Sequence, residues 1–431
     1  MCPSVDKRAG FPGRVVLSSE QQYKTMSFNL NSIPEPALRP KKPVAQRWLK
    51  WLAGLMVAGS LISYFSGQKA NSPLFWLFFV AIPALLWLIT AWARSVVYLL
   101  GHIRANAWDR HREEAILQEV VRGRRALQIL QGTFITGHLR SAAALNELPV
   151  DALLQNKSAL RTQSTWKGAR ARHSRLAVTN KTSLDSFLSI LFKQLLSSLA
   201  EALCEYPASQ HVALLFETNI GVPRARIRQC WGDAWQESGI SQQPEEITGS
   251  GLAVADRWLD QRFRENTLLL VVALQIAPEN PEGTGEAGAA LLLGNRLTQK
   301  TLSPQALLHR PERSLEAELD KGLEQAAYHV PLDDSSLTRL WQCGLNQPQR
   351  EAVMMQHRSP VLAGVANENI FNIDSTLGAT GPVAPWLAVA AAAQAARQLQ
   401  VPQMIISSDI EHNALWSAVV SPQVSQQELD K

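Results

Sequence analysis

Residues 267–295 carry the sequence TLLLVVALQIAPENPEGTGEAGAALLLGN, in which two apolar segments flank a glycine-rich turn. The first segment, Thr267–Ile276, is an almost continuous aliphatic run, which is typical of a strand buried on both faces. The second, Ala289–Leu293, has the same character and the length of a strand. We therefore predict two core strands, joined by this turn, inside a layered domain.

The turn contains Gly283, Gly285 and Gly288, which formally match the G-x-G-x-x-G pattern of dinucleotide sites. Such a site requires a helix to open at the third glycine, because the helix amino terminus faces the pyrophosphate. Here only Ala289–Leu293 follows before Gly294, which is too short for that helix. The spacing argues against a nucleotide site, and we predict no cofactor.

Helical and strand-like segments alternate on both sides of this stretch. Before it, Leu184–Leu203 has the periodicity of an amphipathic helix, His211–Phe216 that of a buried strand, and Gly251–Arg264 that of a second helix. After it come an alanine-rich helix and two strands, at Val383–Leu399, Met404–Ser407 and Ala414–Val420. This alternation predicts a layered α/β fold.

Two further apolar runs lie near the start of the chain. Trp51–Phe65 reads WLAGLMVAGSLISYF, and Leu74–Ala93 reads LFWLFFVAIPALLWLITAWA without a charge. About twenty apolar residues make a helix of about 30 Å, which matches the hydrocarbon core of a bilayer. We predict a two-helix transmembrane hairpin within residues 46–100; the alternative is a buried helical hairpin in a soluble core.

Positive charges flank the hairpin on both outer sides. They are Arg39, Lys41, Lys42, Arg47 and Lys50 before the first run, and Arg94, Arg104, Arg110 and Arg112 after the second. The connecting loop, Ser66–Pro73, contains only Lys69. Because cytoplasmic flanks are enriched in Lys and Arg, we expect both termini in the cytoplasm of a bacterium, with the inner membrane spanned twice.

The charge of the chain is unevenly distributed. Residues 1–178 contain 24 Lys and Arg against 9 Asp and Glu, whereas residues 179–431 contain 18 against 28. A basic half beside apolar spans favours the lipid bilayer as a partner and argues against nucleic acid. The four cysteines have no paired spacing, which argues against a disulfide framework and against a zinc site.

These observations divide the chain into four segments. Residues 1–45 are polar and proline-rich, and we predict a disordered cytoplasmic tail. The hairpin occupies 46–100, and a basic juxtamembrane helix (102–131) and linker occupy 101–178. The α/β domain follows over 179–431, in halves of about 179–303 and 326–425.

Four stretches of this last segment resemble, in order, motifs of the thiolase-like condensing enzymes, the ketoacyl synthases and their relatives. TGSGLAVADRWLDQRF from Thr248 lies at the position of their nucleophile helix, and Thr267–Asn295 resembles the segment ending in a GEGAAALVL-like strand. Ser375–Ala396 resembles the S-x-x-GHT-x-x-AxG loop and its helix, and Ser407–Val420 the glycine-rich turn and closing strand. The resemblance covers about residues 180–425 and implies a pseudo-twofold fold and a homodimer.

The chain departs from that family where chemistry is expected. Condensing enzymes use a thiolate at a helix amino terminus and two polar partners for the developing charge. In this sequence the nucleophile position falls at about Thr248, Ala379 replaces the histidine of the Gly378-Ala379-Thr380 loop, and the final turn is Asp409–Asn413. We therefore predict a degenerate pseudo-enzyme with no catalytic, cofactor-binding or metal-binding residue.

The other candidate nucleophiles have structural explanations. Ser250 with His412 and Asp409 would form a hydrolase triad, but Ser250 lacks the G-x-S-x-G elbow and suits a helix N-cap. For the cysteines we predict core or structural roles: Cys204 on an apolar helix face, and Cys230 and Cys343 beside tryptophans in polar helices.

Together these features predict a membrane-anchored adaptor or accessory subunit. The architecture resembles that of accessory proteins of bacterial type VI secretion loci, including lipase-adaptor-like ones, which implies a secretion-system component or an effector as protein partner. The alternative is an enzyme that binds acyl thioesters or transfers acyl groups at the cytoplasmic membrane face. A purely structural membrane subunit is a third interpretation.

Overall fold

The computed structural model describes residues 35–67, 72–138, 149–177, 183–298, 301–330, 337–409 and 411–423. Most of the tail predicted over residues 1–45 lies outside these ranges, as does Lys69 of the predicted loop. The chain divides into two compact units, Asn29–Val120 and a second that contains Val121–Lys431.

The first unit is helical. Helix α1 spans Ala45–Phe65 and is followed by α2 (Pro73–Trp76), a π-helical turn (Leu77–Ala81) and the long helix α3 (Ile82–Gly123), which ends in the second unit. The Trp87 indole N–H donates to the carbonyl oxygen of Trp48 at 2.9 Å. A Cβ atom at Gly59 would clash with the carbonyl oxygen of Phe78. These contacts place α1 beside the first half of the following helix, with opposite chain directions.

Three described helices are long and apolar enough to cross a bilayer: Ala45–Phe65, the helical stretch Pro73–Gly123, and Leu184–Cys204. The apolar windows of the first two are only 11% and 6% buried, whereas half of the third is buried as part of the protein core. The exposed apolar surface of the first unit is compatible with membrane association.

The second unit is a mixed α/β structure. Its strands are β1 (Ala126–Thr136), β2 (Arg161–Ser164), β3 (Arg170–His173), β4 (His211–Ile220), β5 (Pro244–Ile247), β6 (Thr267–Ile276), β7 (Ala287–Gly294), β8 (Ala306–His309), β9 (Glu312–Ser314), β10 (Leu340–Cys343), β11 (Ile370–Asn372), β12 (Gln403–Asp409) and β13 (Ala414–Pro422). Its helices after α3 are α4 (Pro149–Leu154), α5 (Leu184–Cys204), α6 (Arg224–Glu237), α7 (Gly251–Gln261), α8 (Leu319–Tyr328), α9 (Gln347–Met355), α10 (Ile373–Leu377) and α11 (Ala384–Leu399).

One 11-stranded sheet has the strand order β11-β10-β12-β13-β8-β1-β7-β6-β4-β5, with β9 paired to β13. The two ends of this order are equivalent. In each, two parallel pairs (β5/β4/β6 and β11/β10/β12) are followed by two antiparallel pairs (β6/β7/β1 and β12/β13/β8). Helices occupy matching places, with α7 between β5 and β6 and α11 between β11 and β12. The described unit therefore contains the same topology twice.

Helix α11 lies in the centre of the core. Every residue from Ala384 to Ala396 except Gln394 is buried, so the helix has contacts on all sides. Alanine has the highest helix propensity, and its small side chain lets strands approach closely. The alanine-rich sequence therefore has two effects: it favours a helix, and its small side chains let that helix fit between the strands and α7.

Local sequence patterns fail at three places before α5. The helix predicted over 102–131 ends at Gly123, and residues 126–136 form β1. This strand lies between β7 and β8, and its side chains Leu127, Ile129 and Leu130 are buried in the core. The predicted linker contains the hairpin β2–β3. Trp166, predicted to be a loosely packed loop residue, donates its indole N–H to Glu286 Oε1 at 2.6 Å.

Replacing Gly378 with alanine is expected to lower the free energy of unfolding by about 3 kcal/mol, because the backbone must remain at a positive φ while gaining a clash. Gly378 has φ +86°, and its Cβ would lie 2.6 Å from the carbonyl carbon of Thr284 and 2.8 Å from the Gly283 oxygen. The matched control is Gly283→Ala, since Gly283 has φ +70° but no atom within 4 Å of a Cβ. Denaturant unfolding of the purified protein should show the control variant losing only about 1 kcal/mol. Equal losses would mean that the contact with residue 284 is unimportant.

Candidate functional site

A cavity of about 250 Å³ opens at the carboxyl ends of the parallel strands. Its walls come from both copies of the repeated topology: the end of β4 and the start of α7 on one side, and the ends of β10 and β12 with the start of α11 on the other. Ligands of α/β proteins commonly bind at this edge of a sheet. Most of the lining is apolar, and three acidic residues, Glu217, Asp409 and Glu411, interrupt it.

Ser250 lies in the cavity wall at the N-cap position of α7. It occupies the position predicted for a helix cap, but its side chain makes no capping hydrogen bond. Its hydroxyl donates instead to Glu411 Oε1 at 2.7 Å. A helix amino terminus carries a partial positive charge that stabilises negative charge nearby. The arrangement therefore pairs a hydroxyl nucleophile with a carboxylate that can accept its proton.

Glu217, near the end of β4, is the second carboxyl group of the cavity. Its Oε1 accepts hydrogen bonds from the Gly251 backbone N–H and from the Trp386 indole N–H, both at 2.9 Å. Burial raises the pKa of Glu217 to about 7, with a smaller contribution from the charge of Glu411, and the two hydrogen bonds act in the opposite direction. This carboxyl group can therefore exchange a proton near neutral pH.

A second cavity, of about 270 Å³, shares the residues Glu217, Ser250 and Pro382 with the first. Its other walls include Arg224 and Arg228 of α6 and Glu246 of β5. Ser250 and Glu217 thus stand where an apolar cavity and a charged cavity meet.

The far end of α7 is fixed by buried charge. Arg310, which is 1% exposed, donates to both carboxylate oxygens of Asp260, at 2.9 and 2.7 Å, and lies 2.7 Å from Asp256. Arg122 also bonds both Asp260 oxygens, at 2.8 and 2.6 Å. Burial would raise the pKa of Asp260, but hydrogen bonds from Arg122 and Arg310 hold it well below its usual range. Burial raises the pKa of Asp256 to about 7 despite Arg310.

Three of the segments that carry the thiolase-like resemblance contribute residues to the cavity wall. Two residues that the resemblance singles out, Thr248 and Ala379, are not among them. Thr248 lies outside the first cavity, and Ser250, two residues later, lines it. The backbone oxygen of Ala379 accepts hydrogen bonds from Gly285 N and Gln275 Nε2, so this residue serves the contact with the glycine-rich turn. Gly381 of the same loop does line the cavity.

The final turn contributes Asp409 and Glu411 to the cavity. His412 Nδ1 lies 3.2 Å from both Asp409 oxygens, and Arg313 Nε lies 3.2 Å from one of them. The hydrolase triad would require Ser250 to bond His412. Ser250 bonds Glu411 instead, so the triad of Ser250, His412 and Asp409 is not formed, although His412 does pair with Asp409. Sequence reasoning missed Glu217, although a carboxylate inside the otherwise apolar strand HVALLF-E was an available signal.

The described cysteines are not part of this lining, although Cys343 precedes Gly344 and pairs with Ser407 in the sheet, and both of these residues line the cavity. Cys204 is exposed, so the prediction of a core residue is wrong; it is the last residue of α5, and its neighbour Leu203 is the one that is buried. Cys230 and Cys343 are buried, but Cys343 belongs to strand β10 and not to a helix. Burial raises the pKa of the Cys343 thiol. Among the residues described, no cluster of three His, Cys, Asp or Glu could hold a metal ion.

No family model and no curated protein sequence matches the chain. Its solved structural neighbours include the ketosynthase–chain length factor of PfaC, with 11% identity and a TM-score of 0.49, over 70% of this chain and 43% of that one. They also include AntDE:AntF, a type II polyketide ketosynthase with its acyl-carrier protein (10% identity, TM-score 0.47, 69% of this chain and 100% of that one). A third is 3-oxoacyl-[acyl-carrier-protein] synthase III of Aquifex aeolicus, with 10% identity and a TM-score of 0.40, over 69% of this chain and 100% of that one. The chain spans less than half of the PfaC structure.

The prediction of a catalytically degenerate pseudo-enzyme is wrong. The described residues give no positive sign of degeneracy, because the cavity that they form contains a hydroxyl group bonded to a carboxylate. The prediction rested on Thr248, Ala379 and the final turn, whereas the cavity is lined by Ser250, which donates to Glu411, and by Glu217. Nothing in the described residues or in the neighbours' names supports an adaptor role or a secretion system.

Proposed function

We propose that the cavity at Ser250 binds acyl thioesters and that Ser250 accepts the acyl group. The observation that carries this proposal is the position of the Ser250 hydroxyl, which faces a largely apolar cavity from a helix amino terminus and donates to Glu411 at 2.7 Å. A hydroxyl group needs an adjacent base to act as a nucleophile at neutral pH, and Glu411 is in hydrogen-bond reach.

The proposed step is balanced within the residues of the cavity and the substrate. The Ser250 oxygen attacks the thioester carbonyl carbon, and the hydroxyl proton passes to the Glu411 carboxylate. The tetrahedral intermediate then collapses, the carbon–sulfur bond breaks, and the proton moves from Glu411 to the leaving thiolate. The products are an ester at Ser250 and a free thiol, from which the acyl group can pass to an acceptor.

Two independent features of this chain support the proposal that its substrate is an acyl thioester and that its fold is thiolase-like. The motif order from Thr248 to Val420 resembles that of the condensing enzymes. The described unit repeats one strand topology, and α7 and α11 begin at the same cavity, as the pseudo-twofold arrangement implied by that resemblance requires.

The direct test is incubation of the full-length protein, in detergent micelles, with a radiolabelled octanoyl thioester of coenzyme A. We expect label that survives denaturation, resists hydroxylamine at neutral pH as a thioester does not, and is released by hydroxylamine at alkaline pH, as an oxygen ester is. Label that is lost on denaturation, or no label at all, would contradict the acceptor role of Ser250.

For the first unit we propose an anchor in which α1 and the helical stretch after Pro73 both cross the membrane, with the termini in the cytoplasm. The support is their exposed apolar surface and the basic residues at both outer ends. A reporter fused after Lys431 should be active only in the cytoplasm, and one inserted between Gly67 and Ser72 only on the opposite side. The reverse pattern would contradict this topology.

A further inference from the structure

The backbone N–H of Gly251 is already occupied in the resting site. Gly251 directly follows Ser250, and the N–H of the residue after a nucleophilic serine is a common donor to the oxyanion of an acyl-transfer intermediate. Here this N–H donates to Glu217 Oε1 at 2.9 Å. A carboxyl oxygen therefore lies where the carbonyl oxygen of a substrate would have to bind.

The surroundings of Glu217 hold it at this position but leave it room to move. The Trp386 indole N–H donates to the same oxygen, Oε1, at 2.9 Å. No hydrogen bond to the second carboxyl oxygen is found among the residues that the structure describes. Glu217 lines both the first and the second cavity, so rotation of its side chain away from Gly251 leads into open space.

We propose that Glu217 controls access to the Gly251 N–H, holding it in the resting site and releasing it when the carbonyl oxygen of an acyl thioester binds. The proposal rests on the proposed role of Ser250. Glu217 acts through the Gly251 amide, so it is a positioning residue. On release, the Gly251 N–H exchanges the carboxyl oxygen of Glu217 for the carbonyl oxygen of the substrate. The N–H can then stabilise the negative charge that develops on the substrate oxygen.

The charge of Glu217 should set how firmly the amide is held. An anionic carboxylate makes stronger hydrogen bonds to N–H donors than a neutral carboxyl group does. Glu411 and Asp409 face Glu217 across the first cavity, and Arg224, Arg228 and Glu246 surround the second. Since burial raises the pKa of Glu217 to about 7, the stronger, anionic form predominates above that pH. Release is then harder as the pH rises through neutrality.

The test measures the rate of Ser250 acylation by the octanoyl thioester between about pH 5.5 and 9, with the full-length protein in micelles. The wild-type rate is expected to fall about tenfold per pH unit above pH 7, as the protonated fraction of Glu217 falls. Glu217→Gln keeps the shape but stays neutral, so its rate should not show this fall. The matched control is Glu237→Gln, which removes an exposed carboxylate, paired with Lys193, that lines neither cavity and should keep the wild-type profile.

A second readout does not depend on acylation. The indole N–H resonance of Trp386, assigned with Trp386→Phe, should shift with a midpoint near pH 7 in the wild type and not in Glu217→Gln. If acylation occurs at Ser250 but the pH profile and the indole shift are the same in both proteins, the control by Glu217 is wrong and the acceptor role stands. If no variant is acylated at Ser250, both proposals are wrong.

Discussion

Replacing Ser250 with alanine is expected to reduce covalent acyl incorporation at least about a thousandfold, because it removes the hydroxyl group that is proposed to form the ester. The Ser250 hydroxyl lines the cavity and donates to the carboxylate of Glu411, whereas the hydroxyl of Ser407, which also lines the cavity, donates to the backbone oxygen of Ser408. The measurement is the initial rate of labelling of full-length protein by the octanoyl thioester. Thr248→Ala is the matched control, since Thr248 lies outside the first cavity, and it should label like the wild type.

Two further variants separate chemistry from packing at this position. Ser250→Cys places a thiol at the same helix amino terminus, where the thiolate is favoured, and should remain labelled. Glu411→Gln keeps the hydrogen-bond acceptor but cannot take the proton, so labelling should fall about a hundredfold or more. If Ser250→Ala labels normally, or if Thr248→Ala does not, then Ser250 is not the acceptor.

Replacing Arg310 with methionine is expected to lower the free energy of unfolding by about 3 kcal/mol, since removing one partner of a buried ion pair leaves uncompensated charge. Arg310 is 1% exposed and is the partner of both Asp256 and Asp260 on α7. Asp260 keeps Arg122 in the variant, and Asp256, whose pKa is already raised to about 7, can become neutral. Both effects limit the loss. Denaturant unfolding of the purified protein would measure it.

The matched control is Arg228→Met, because Arg228 forms an exposed pair with Glu246, the two side chains being 62% and 49% exposed. Exposed ion pairs contribute only about 0–1 kcal/mol. The two variants should therefore differ clearly in unfolding midpoint. Similar midpoints would show that the buried cluster does not stabilise the position of α7.

The central part of the fold was accessible from local sequence patterns. The apolar run Thr267–Ile276 forms β6 over the same residues, because a strand with partners on both sides is buried and favours apolar side chains. The exception, Gln275, donates hydrogen bonds to the backbone oxygens of Gly285 and Ala379. The alanine-rich helix was also predictable, since burial on all sides requires small residues throughout. In contrast, β1 was predicted as helix because its partners, β7 and β8, lie more than 150 residues away.

The site was predictable only in part, for a similar reason. The sequence predicted the start of α7 at Gly251, where the structure has it, but it could not show which side chain faces a cavity. The pairing of Ser250 with Glu411 spans 161 positions, and that of Glu217 with Trp386 spans 169. Such contacts depend on how β4, β12 and the two central helices are assembled, which no local pattern contains. The mistaken pseudo-enzyme interpretation followed from comparing Thr248, Ala379 and the final turn with family motifs one by one, without the contacts that bring Ser250, Glu411 and Glu217 together.

The most direct measurement is tandem mass spectrometry of the full-length protein after reaction with the octanoyl thioester, to locate the acyl group on the chain. We expect one acylated peptide, with the ester on Ser250. An acyl group on Thr248, on a cysteine, or on a surface residue with Ser250 unmodified would contradict it.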